Sequence, residues 1–326
     1  MRRILLIKTS SLGDVVHNLP VATDLRKRFP DVEIDWAVEE SCAEVPALHP
    51  AVSQVIPVAL RRWRQRLAHA ATWQEIGELR QRFRSRAYAA VIDTQGLLKS
   101  ALIARLAPGR RFGLDWSSAR EPLWPLYHQT FDVSWSLHAV ERNRQLAGKA
   151  LTYTPSTGVD YGIVAPPSPP TTAATPSGDY AVLLHATSAQ EKLWPEHHWV
   201  SLGDHLHHRG LHAVLPWGSE QERSRSERIA ALLKRATVPP RLSLREAAAL
   251  IGHARAVFGV DTGLTHLSVA LGAPTIGIYC ATDPAATGLY GSERAVNVGG
   301  LDGGPPVAAV IAAWHRTQPA LLSAQS

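Results

Sequence analysis

The chain has 326 residues, 45% of them hydrophobic, which is enough for two ordinary domains. Two cysteines and the lack of any apolar stretch of about 20 residues argue against a disulfide framework and a transmembrane helix, so we expect a cytoplasmic protein. The net charge of +6 is uneven: residues 1–155 carry 22 Lys and Arg against 15 Asp and Glu, and residues 156–326 carry 12 against 13. A basic first half predicts an anionic partner.

The first half of the chain repeats a pattern of strand, loop and helix. Ile4–Ile7 is a predicted buried strand, Thr9–Gly13 is a polar loop, and apolar residues recur at helical spacing from Asp14 to Leu25. The stretch "EIDWAVE" and the apolar run that ends at Asp93 are further predicted strands. Strands that alternate with helices predict a parallel sheet covered by helices.

The second half repeats this pattern after a segment rich in Pro, Ser and Thr. "YAVLLH", "HAVLPWGS", "AVFGV" and "TIGIYC" are predicted strands, and Ser243 and Glu246 have the spacing of a capping box at a helix start. We therefore predict an α/β fold with two Rossmann-like, doubly wound domains that face each other across a cleft. The predicted boundaries are 1–155 for the first domain, 156–178 for a linker, 179–304 for the second domain and 305–326 for a C-terminal segment.

A strand-to-helix corner at Asp261 concentrates small polar residues. Asp261, Thr262, Gly263 and Thr265 follow the "AVFGV" strand. The free N–H groups and positive dipole end of the next helix, together with hydroxyl donors, suit a phosphate group. Asp261, Thr262 or Thr265 could equally well cap the helix, and this corner alone does not decide between the two interpretations.

A second corner in the same half follows the "YAVLLH" strand. Thr187, Ser188 and Lys192 offer hydroxyls and a cation that suit a diphosphate, and Glu222 could accept hydrogen bonds from a ribose. The alternatives are a solvated lysine and a glutamate at a helix start. The two corners together favour a nucleotide diphosphate, and no GxGxxG or P-loop motif is present.

The corner in the first half carries a carboxylate where a helix is predicted to begin. Asp14 would be stabilised there as an anion by the helix dipole and could accept a proton, although it could also be a plain helix cap. The run "RRWR" supplies Arg61, Arg62 and Arg64, which suit an acidic ligand or else form a solvated helix face.

Metal and hydrolase chemistry lack sequence support. The chain has no DxD pair, no HExxH motif and no cysteine cluster, so we expect a protein that needs no metal. It has no GxSxG elbow either, which argues against a serine hydrolase.

Several blocks in fixed order resemble the heptosyltransferases of glycosyltransferase family 9. They are "KTSSLGDVVHNLP", "IPVALRRWR", "VIDTQGLLKSA", "DWSSAREPLW", "HAVERNR", "HATSAQEKLWPEHHW", "LPWGSEQE" and "GVDTGLTHLSVALGAPTIGIY". The "KTSSLGDVVH" and "RRWR" blocks resemble the type I members. The resemblance implies a GT-B fold and inverting transfer of heptose from ADP-heptose to the Kdo sugars of lipid A. It also implies that the final segment, 305–326, packs on the first domain.

The resemblance also implies roles for individual residues. Asp14 matches the general base, Lys192 matches the residue that neutralises the leaving diphosphate, and Glu222 matches the ribose ligand. Ser188 stands where threonine is usual, and Leu242 stands near adenine where methionine is common. The other implied donor-site residues are Thr187, Asp261, Thr262, Gly263, Leu264 and His266. The implied acceptor-site residues are Ser10, Arg61, Arg62, Arg64, Lys99 and Arg120.

A lipid acceptor implies peripheral association with the cytoplasmic face of the inner membrane. We expect no nucleic acid partner, since no nucleic-acid-binding module is recognisable. Two alternatives remain open: a heptosyltransferase with a different acceptor, and a non-catalytic protein that binds polyanions through its basic half.

Overall fold

The computed structural model describes residues 2–167, 176 and 178–317. The chain forms two compact units, Met1–Ile163 and Val164–Ser326. Their boundary falls inside the predicted linker, 156–178, of which residues 168–175 and 177 lie outside the described residues.

The first unit contains a parallel sheet of six strands with helices between them. The strands are β1 (Arg3–Ile7), β2 (Glu33–Glu39), β3 (Val52–Val58), β4 (Ala90–Asp93), β5 (Arg110–Leu114) and β6 (Gln129–Phe131). The helices are α1 (Leu12–Val16), α2 (Leu19–Arg28), α3 (Leu60–Gln65), α4 (Ala70–Arg84), α5 (Leu98–Leu106) and α6 (Ala139–Leu151). The strand order is β3-β2-β1-β4-β5-β6, so the winding direction reverses between β1 and β4.

The predicted single helix after the first loop is two helices in the structure. Helix α1 ends at Val16, and α2 begins at Leu19 with a proline, Pro20, in its first turn. A proline in the middle of one continuous helix would remove a backbone hydrogen bond and clash with the preceding turn, so the helix breaks before it. The short α1 keeps Asp14 close to the end of β1.

The first unit includes residues beyond the predicted boundary at 155. Tyr161 and Ile163 are buried, and the Arg144 guanidinium donates to the carbonyl of Ser156 at 2.7 Å. Arg144 also forms a buried ion pair with Asp24 at 2.7 Å. Part of the predicted linker therefore packs as the end of the first unit.

The second unit contains another parallel sheet of six strands. Its strands are β7 (Tyr180–Leu184), β8 (His212–Val214), β9 (Ala236–Thr237), β10 (Ala256–Val260), β11 (Thr275–Tyr279) and β12 (Ala295–Gly299). Its helices are α7 (Glu196–His208), α8 (Glu220–Ala231), α9 (Leu244–Gly252), α10 (Gly263–Ala270), α11 (Pro284–Thr287) and α12 (Val307–Thr317). The predicted capping box is confirmed: Ser243 accepts from the Glu246 N–H at 3.2 Å, and Glu246 accepts from the Ser243 N–H at 2.7 Å.

The final helix packs into the core of the second unit. Val310, Ala313 and Trp314 of α12 are buried with Trp199 and Phe258. The rest of the predicted C-terminal segment, residues 318–326, lies outside the described residues. Contact of this segment with the first unit stays a prediction.

The two sheets share one topology. The order β12-β11-β10-β7-β8-β9 is the same winding as in the first unit, with the reversal between β7 and β10. This is the doubly wound arrangement in which ligands bind outside the carboxyl ends of the strands, where the winding reverses. The predicted α/β fold with two Rossmann-like units is confirmed.

Candidate active site

Two loops meet at the winding reversal of the second unit. One follows β7 and carries Thr187 and Lys192, and the other follows β10 and begins at Asp261. The Thr187 hydroxyl donates to the Asp261 carbonyl at 3.1 Å, and the Lys192 ammonium lies 2.6 Å from the Asp261 carboxylate. Residues that the sequence placed at two separate corners therefore form one connected site.

The Asp261 carboxylate is largely buried and surrounded by donors. The Thr282 hydroxyl donates to it at 3.0 Å, and His266 Nε2 lies 3.6 Å from its second oxygen. Burial by itself raises the pKa of Asp261, but His266 and Lys192 outweigh it and hold that pKa well below its usual range. The site therefore presents a permanent carboxylate with a lysine beside it.

The start of α10 shows which of the polar residues after β10 act as helix caps. Thr262 is the N-cap residue, and its side chain makes no capping hydrogen bond. The Thr265 hydroxyl, which the sequence offered as a donor to a phosphate or as a cap, is buried and donates to the Val260 carbonyl at 2.7 Å. The first N–H groups of α10, at Gly263 and Leu264, have no partner within the helix, as at any helix start.

A cavity of about 550 Å³ adjoins the loop after β7. Three predicted donor-site residues, Thr187, Ser188 and Glu222, line it together with Arg225 and Arg228, which were not among the predicted site residues. Contact of the three predicted residues with a nucleotide stays a prediction. Arg225 donates to the Trp194 carbonyl at 2.6 Å, and Arg228 pairs with Glu196 at 2.7 Å. The cavity combines hydroxyls, one carboxylate and two guanidinium groups, which suits a polar, anionic ligand.

Glu222 is a capping residue in the structure. Its carboxylate accepts from the Gly218 N–H at 2.7 Å, and its own N–H donates to Ser219 at 3.3 Å. This is the helix-start role that the sequence offered as the alternative. Because Glu222 also lines the cavity, the cap fixes its carboxylate at the cavity wall.

Leu242 and Leu264 lie close to the same apolar cluster. Both are partly buried and pack against a core that includes Val182 of β7 and Val257 of β10. They can offer an apolar surface to a flat ring. Contact of Leu242 with adenine stays a prediction.

His185, at the end of β7, is buried and neutral. Its Nε2 lies 2.7 Å from the Ser226 hydroxyl, and burial lowers its pKa to about 4. His49 in the first unit is similar: its Nε2 lies 2.9 Å from the Thr23 hydroxyl, and burial lowers its pKa to about 4.

We expect the free energy of unfolding to fall as the pH drops from about 6.5 to about 4. An unfolded histidine takes up its proton near pH 6.5, whereas these two take it up near pH 4, so the unfolded state binds more protons in that window. Each histidine contributes up to about 3 kcal/mol. Urea titrations at pH 7 and pH 4.5 should show a smaller loss for His185→Asn than for the parent chain. An unchanged loss would contradict this, and His208→Asn, at an exposed position, is the control.

The loop after β1 in the first unit is held by Gln95, in the loop that follows β4, and by Lys99 of helix α5. The N–H groups of Thr9 and Ser10 both donate to the Gln95 side-chain oxygen, at 3.0 and 3.2 Å. The Lys99 ammonium donates to the Ser10 hydroxyl at 2.8 Å. Two predicted site residues, Ser10 and Lys99, are thus in direct contact.

Asp14 lies in the first turn of α1 and takes part in a capping box. One carboxylate oxygen accepts from the Ser11 N–H at 2.7 Å and from the Ser11 hydroxyl at 3.0 Å. Within the part of the chain that the structure describes, no hydrogen bond involves the other oxygen. The cap that the sequence offered as an alternative is therefore present, and it orients a carboxylate with one open oxygen.

Two buried ionisable groups beneath this loop have no counterpart in the predictions. The Lys8 ammonium donates to the Thr94 carbonyl at 2.8 Å and to Asn143 at 3.2 Å, and burial lowers its pKa. Asp93 accepts from the Tyr127 hydroxyl at 2.8 Å and from the Gln95 N–H at 2.9 Å. These bonds hold the base of the loop after β1, residues 8–14, which we call the Asp14 loop. Thr282, which contacts Asp261, was not predicted either, and its only signal in the sequence is that it closely follows the end of β11.

The predicted basic residues differ in their surroundings. The Arg62 guanidinium is held by two carboxylates, at 2.7 Å from Glu75 and 3.3 Å from Glu40, whereas Arg61, Arg64 and Arg120 are exposed. The Trp63 indole also donates to Glu75 at 2.7 Å. Arg62 thus anchors α3, and the acceptor role of all four arginines stays a prediction.

Residues 2–167, 176 and 178–317 contain neither a candidate metal site nor a candidate membrane-spanning helix. No three His, Cys, Asp or Glu side chains there are grouped so that they could hold a metal ion. None of the helices in this part of the chain combines the length and apolarity that crossing a bilayer requires.

The geometry describes a doubly wound α/β protein with a polar site at the winding reversal of its second unit, and comparison with known proteins defines its class. The profile of glycosyltransferase family 9 (heptosyltransferase) matches residues 76–305. Lipopolysaccharide heptosyltransferase 1 of Pseudomonas aeruginosa is 47% identical over 90% of this chain and 82% of its own length. The same-named protein of Escherichia coli K12 is 44% identical over 90% of this chain and 92% of its own length.

A solved structure of similar shape supports the same classification. E. coli heptosyltransferase WaaC with ADP superimposes with a TM-score of 0.87 at 39% identity, covering 97% of this chain and all of that one. The chain therefore belongs to glycosyltransferase family 9, the heptosyltransferases. It is an enzyme that transfers a glycosyl group, and the family resemblance found in the sequence is confirmed.

Proposed function

We propose that the protein transfers heptose from ADP-heptose to a Kdo residue of Kdo-lipid A, with inversion at the anomeric carbon, in assembly of the lipopolysaccharide inner core. One observation carries this proposal: the Lys192–Asp261 ion pair at the winding reversal of the second unit, beside a polar cavity. A related E. coli enzyme has been solved with ADP-2-deoxy-2-fluoro heptose, which supports the choice of donor.

The donor is assigned to the second unit by the chemistry of its side chains. Thr187, Ser188 and the start of α10 offer donors to the diphosphate, and Glu222 offers acceptors to the ribose. Asp261 is ionised and suits the hydroxyls of the heptose, with His266 and Lys192 at its sides.

The reaction needs one base and one group that stabilises the leaving diphosphate. Asp14 takes the proton from a Kdo hydroxyl, and that oxygen forms a bond to the anomeric carbon of heptose. The bond from this carbon to the diphosphate oxygen breaks, and its electron pair leaves with ADP. Lys192 stabilises the charge that develops on that oxygen. No step in this scheme uses a metal ion.

The acceptor is assigned to the first unit. This unit carries the excess of basic residues, and Ser10, Lys99 and the exposed Arg61, Arg64 and Arg120 offer donors to acidic sugars. An acceptor built on lipid A places the reaction at the cytoplasmic face of the inner membrane, with the enzyme bound peripherally.

A transfer assay tests this proposal. ADP-heptose should transfer heptose to Kdo-lipid A, with or without a chelator, and should transfer little to an acceptor that already carries the heptose. Preference for the heptosylated acceptor would favour a heptosyltransferase of different specificity. No transfer to either, together with salt-sensitive binding to polyanions, would favour the non-catalytic alternative.

Glu222 offers a matched pair of variants for the donor site. Glu222→Ala and Glu246→Ala each remove a capping box, so each should lower the free energy of unfolding by about 1 kcal/mol. Only Glu222→Ala should also weaken ADP binding, by about 10-fold, because it removes an acceptor for the ribose. Calorimetric titration with ADP and thermal unfolding measure the two effects. Equal ADP affinity in both variants would mean that Glu222 caps its helix and does not bind the ribose.

A further inference from the structure

Four of the ten tryptophans are exposed, and all four lie in the first unit. Trp73, Trp116, Trp124 and Trp135 have between 50% and 76% of their surface exposed. A tryptophan exposed on its own needs no explanation, but several exposed side by side mark an interaction surface.

Two of these tryptophans lie next to each other, and a third lies in the same β5–β6 segment of the chain as one of the two. The Trp135 indole donates to the Ser117 carbonyl at 2.9 Å, which places it next to Trp116. Trp124 begins a short 3₁₀ helix that packs against α5 through Leu123.

Helix α5 contributes two exposed leucines next to this segment. Leu98 and Leu102 are each 51% exposed, and the Leu98 N–H donates to Glu121 in the loop that carries Trp116 and Trp124. We call Leu98, Leu102, Trp116, Trp124 and Trp135 the tryptophan surface.

Basic side chains surround the tryptophan surface. Lys99, Arg105 and Arg120 are exposed around it, and the Arg142 guanidinium lies 3.6 Å above the centre of the Trp135 ring. Two acidic side chains nearby make hydrogen bonds to uncharged groups. Glu121 accepts from the Leu98 N–H, and Asp132 accepts from the Ser118 hydroxyl at 3.1 Å. The surface thus combines amphipathic rings and leucines with basic side chains, and none of the four is paired with a carboxylate in the described residues.

This combination fits the interface of a bilayer better than it fits a protein partner. Indole rings favour the boundary between acyl chains and headgroups, where the ring is apolar and its N–H meets polar groups. Lysine and arginine extend toward anionic headgroups, and each cation near the surface adds to the attraction.

The tryptophan surface is directly connected to the Asp14 loop. Lys99, which follows Leu98 in α5, donates to Ser10 at 2.8 Å, and Ser10 lies four residues before Asp14. A bilayer in contact with Leu98 would therefore hold its headgroup sugars close to that loop.

We propose that the tryptophan surface docks the enzyme on an anionic bilayer that contains its acidic lipid acceptor. This inference rests on the proposed function, since it takes the acceptor to be a membrane lipid. Docking orients the first unit so that the acceptor sugars reach the Asp14 loop without leaving the membrane surface.

Vesicle binding by the full chain tests the docking directly. The vesicles contain phosphatidylethanolamine and phosphatidylglycerol and no acceptor, and phosphatidylcholine vesicles serve as the uncharged comparison. The double variant Trp116→Ser/Trp124→Ser should bind the anionic vesicles at least 10-fold more weakly than the parent. The matched control, Leu232→Ser/Leu301→Ser, removes two equally exposed apolar side chains from the second unit and should bind like the parent.

Three outcomes would overturn the inference. They are a parent chain that does not bind anionic vesicles, a tryptophan variant that binds as well as the control, and loss of self-association in the tryptophan variant with vesicle binding intact. The last outcome would assign the surface to a second copy of the chain.

Transfer assays separate this inference from the proposed function. The tryptophan variant should lose at least 10-fold in rate on acceptor embedded in vesicles and should keep its rate on a deacylated, water-soluble acceptor. Equal rates on embedded acceptor would contradict docking while leaving the proposed transfer intact. Vesicle binding by a parent chain that transfers heptose to neither acceptor would instead contradict the proposed function.

Discussion

Asp14→Asn should lower the turnover number by about 10²–10⁴-fold and leave the affinity for ADP-heptose unchanged. The amide oxygen can still accept from the Ser11 N–H, so the cap of α1 survives. What the variant loses is the ability to take a proton from the acceptor hydroxyl. Single-turnover rates, with calorimetric titration of ADP-heptose, measure the two quantities separately.

The control for this experiment is Ser11→Ala. It removes the hydroxyl that donates to the Asp14 carboxylate but keeps the carboxylate itself. Its turnover should fall much less than that of Asp14→Asn, because only the orientation of the base is weakened. Turnover close to that of the parent in Asp14→Asn would remove Asp14 from the mechanism and leave it as a helix cap.

Much of the fold can be predicted from sequence patterns that involve only residues close together along the chain. The central strands β7 and β10 are fully apolar, β1 is apolar after Arg3, and all three end at polar loops, so their positions are predictable. Short strands at the sheet edges are not, and β9 has only two residues, both half-buried. The spacing of apolar residues does not predict the break between α1 and α2, because helical spacing continues through it. Pro20 is the residue that marks the break.

The candidate site was predictable as two corners but not as one network. The residue types at Asp261 and Lys192 indicated phosphate chemistry, yet their ion pair joins positions 69 residues apart and depends on β7 lying next to β10. Arg62 shows the same limit, since the partners that hold it lie 13 and 22 residues away. A pattern along the chain identifies chemically suitable groups, whereas only the folded sheet determines which of them are already paired.

Lys192→Met should lower the turnover number by about 10²–10³-fold, the usual effect of removing one group that stabilises charge on a leaving or attacking oxygen. The methionine side chain is unbranched and only one atom shorter, and it carries no charge. Lys234→Met is the matched control, because Lys234 is an exposed lysine in the same unit, and it should react like the parent. Unchanged rate and affinity in Lys192→Met would reject the assigned role.

A double-mutant cycle with Asp261 separates charge stabilisation from simple positioning. Lys192 and Asp261 form one ion pair at 2.6 Å, so removing either member disturbs the other. If Lys192 acts on the leaving diphosphate and Asp261 binds the heptose and holds Lys192, Lys192→Met/Asp261→Asn should cost less than the sum of the two single effects. Fully additive effects would mean that the pair does not work as a unit during transfer, and Lys192 would then stabilise the diphosphate without help from the carboxylate beside it.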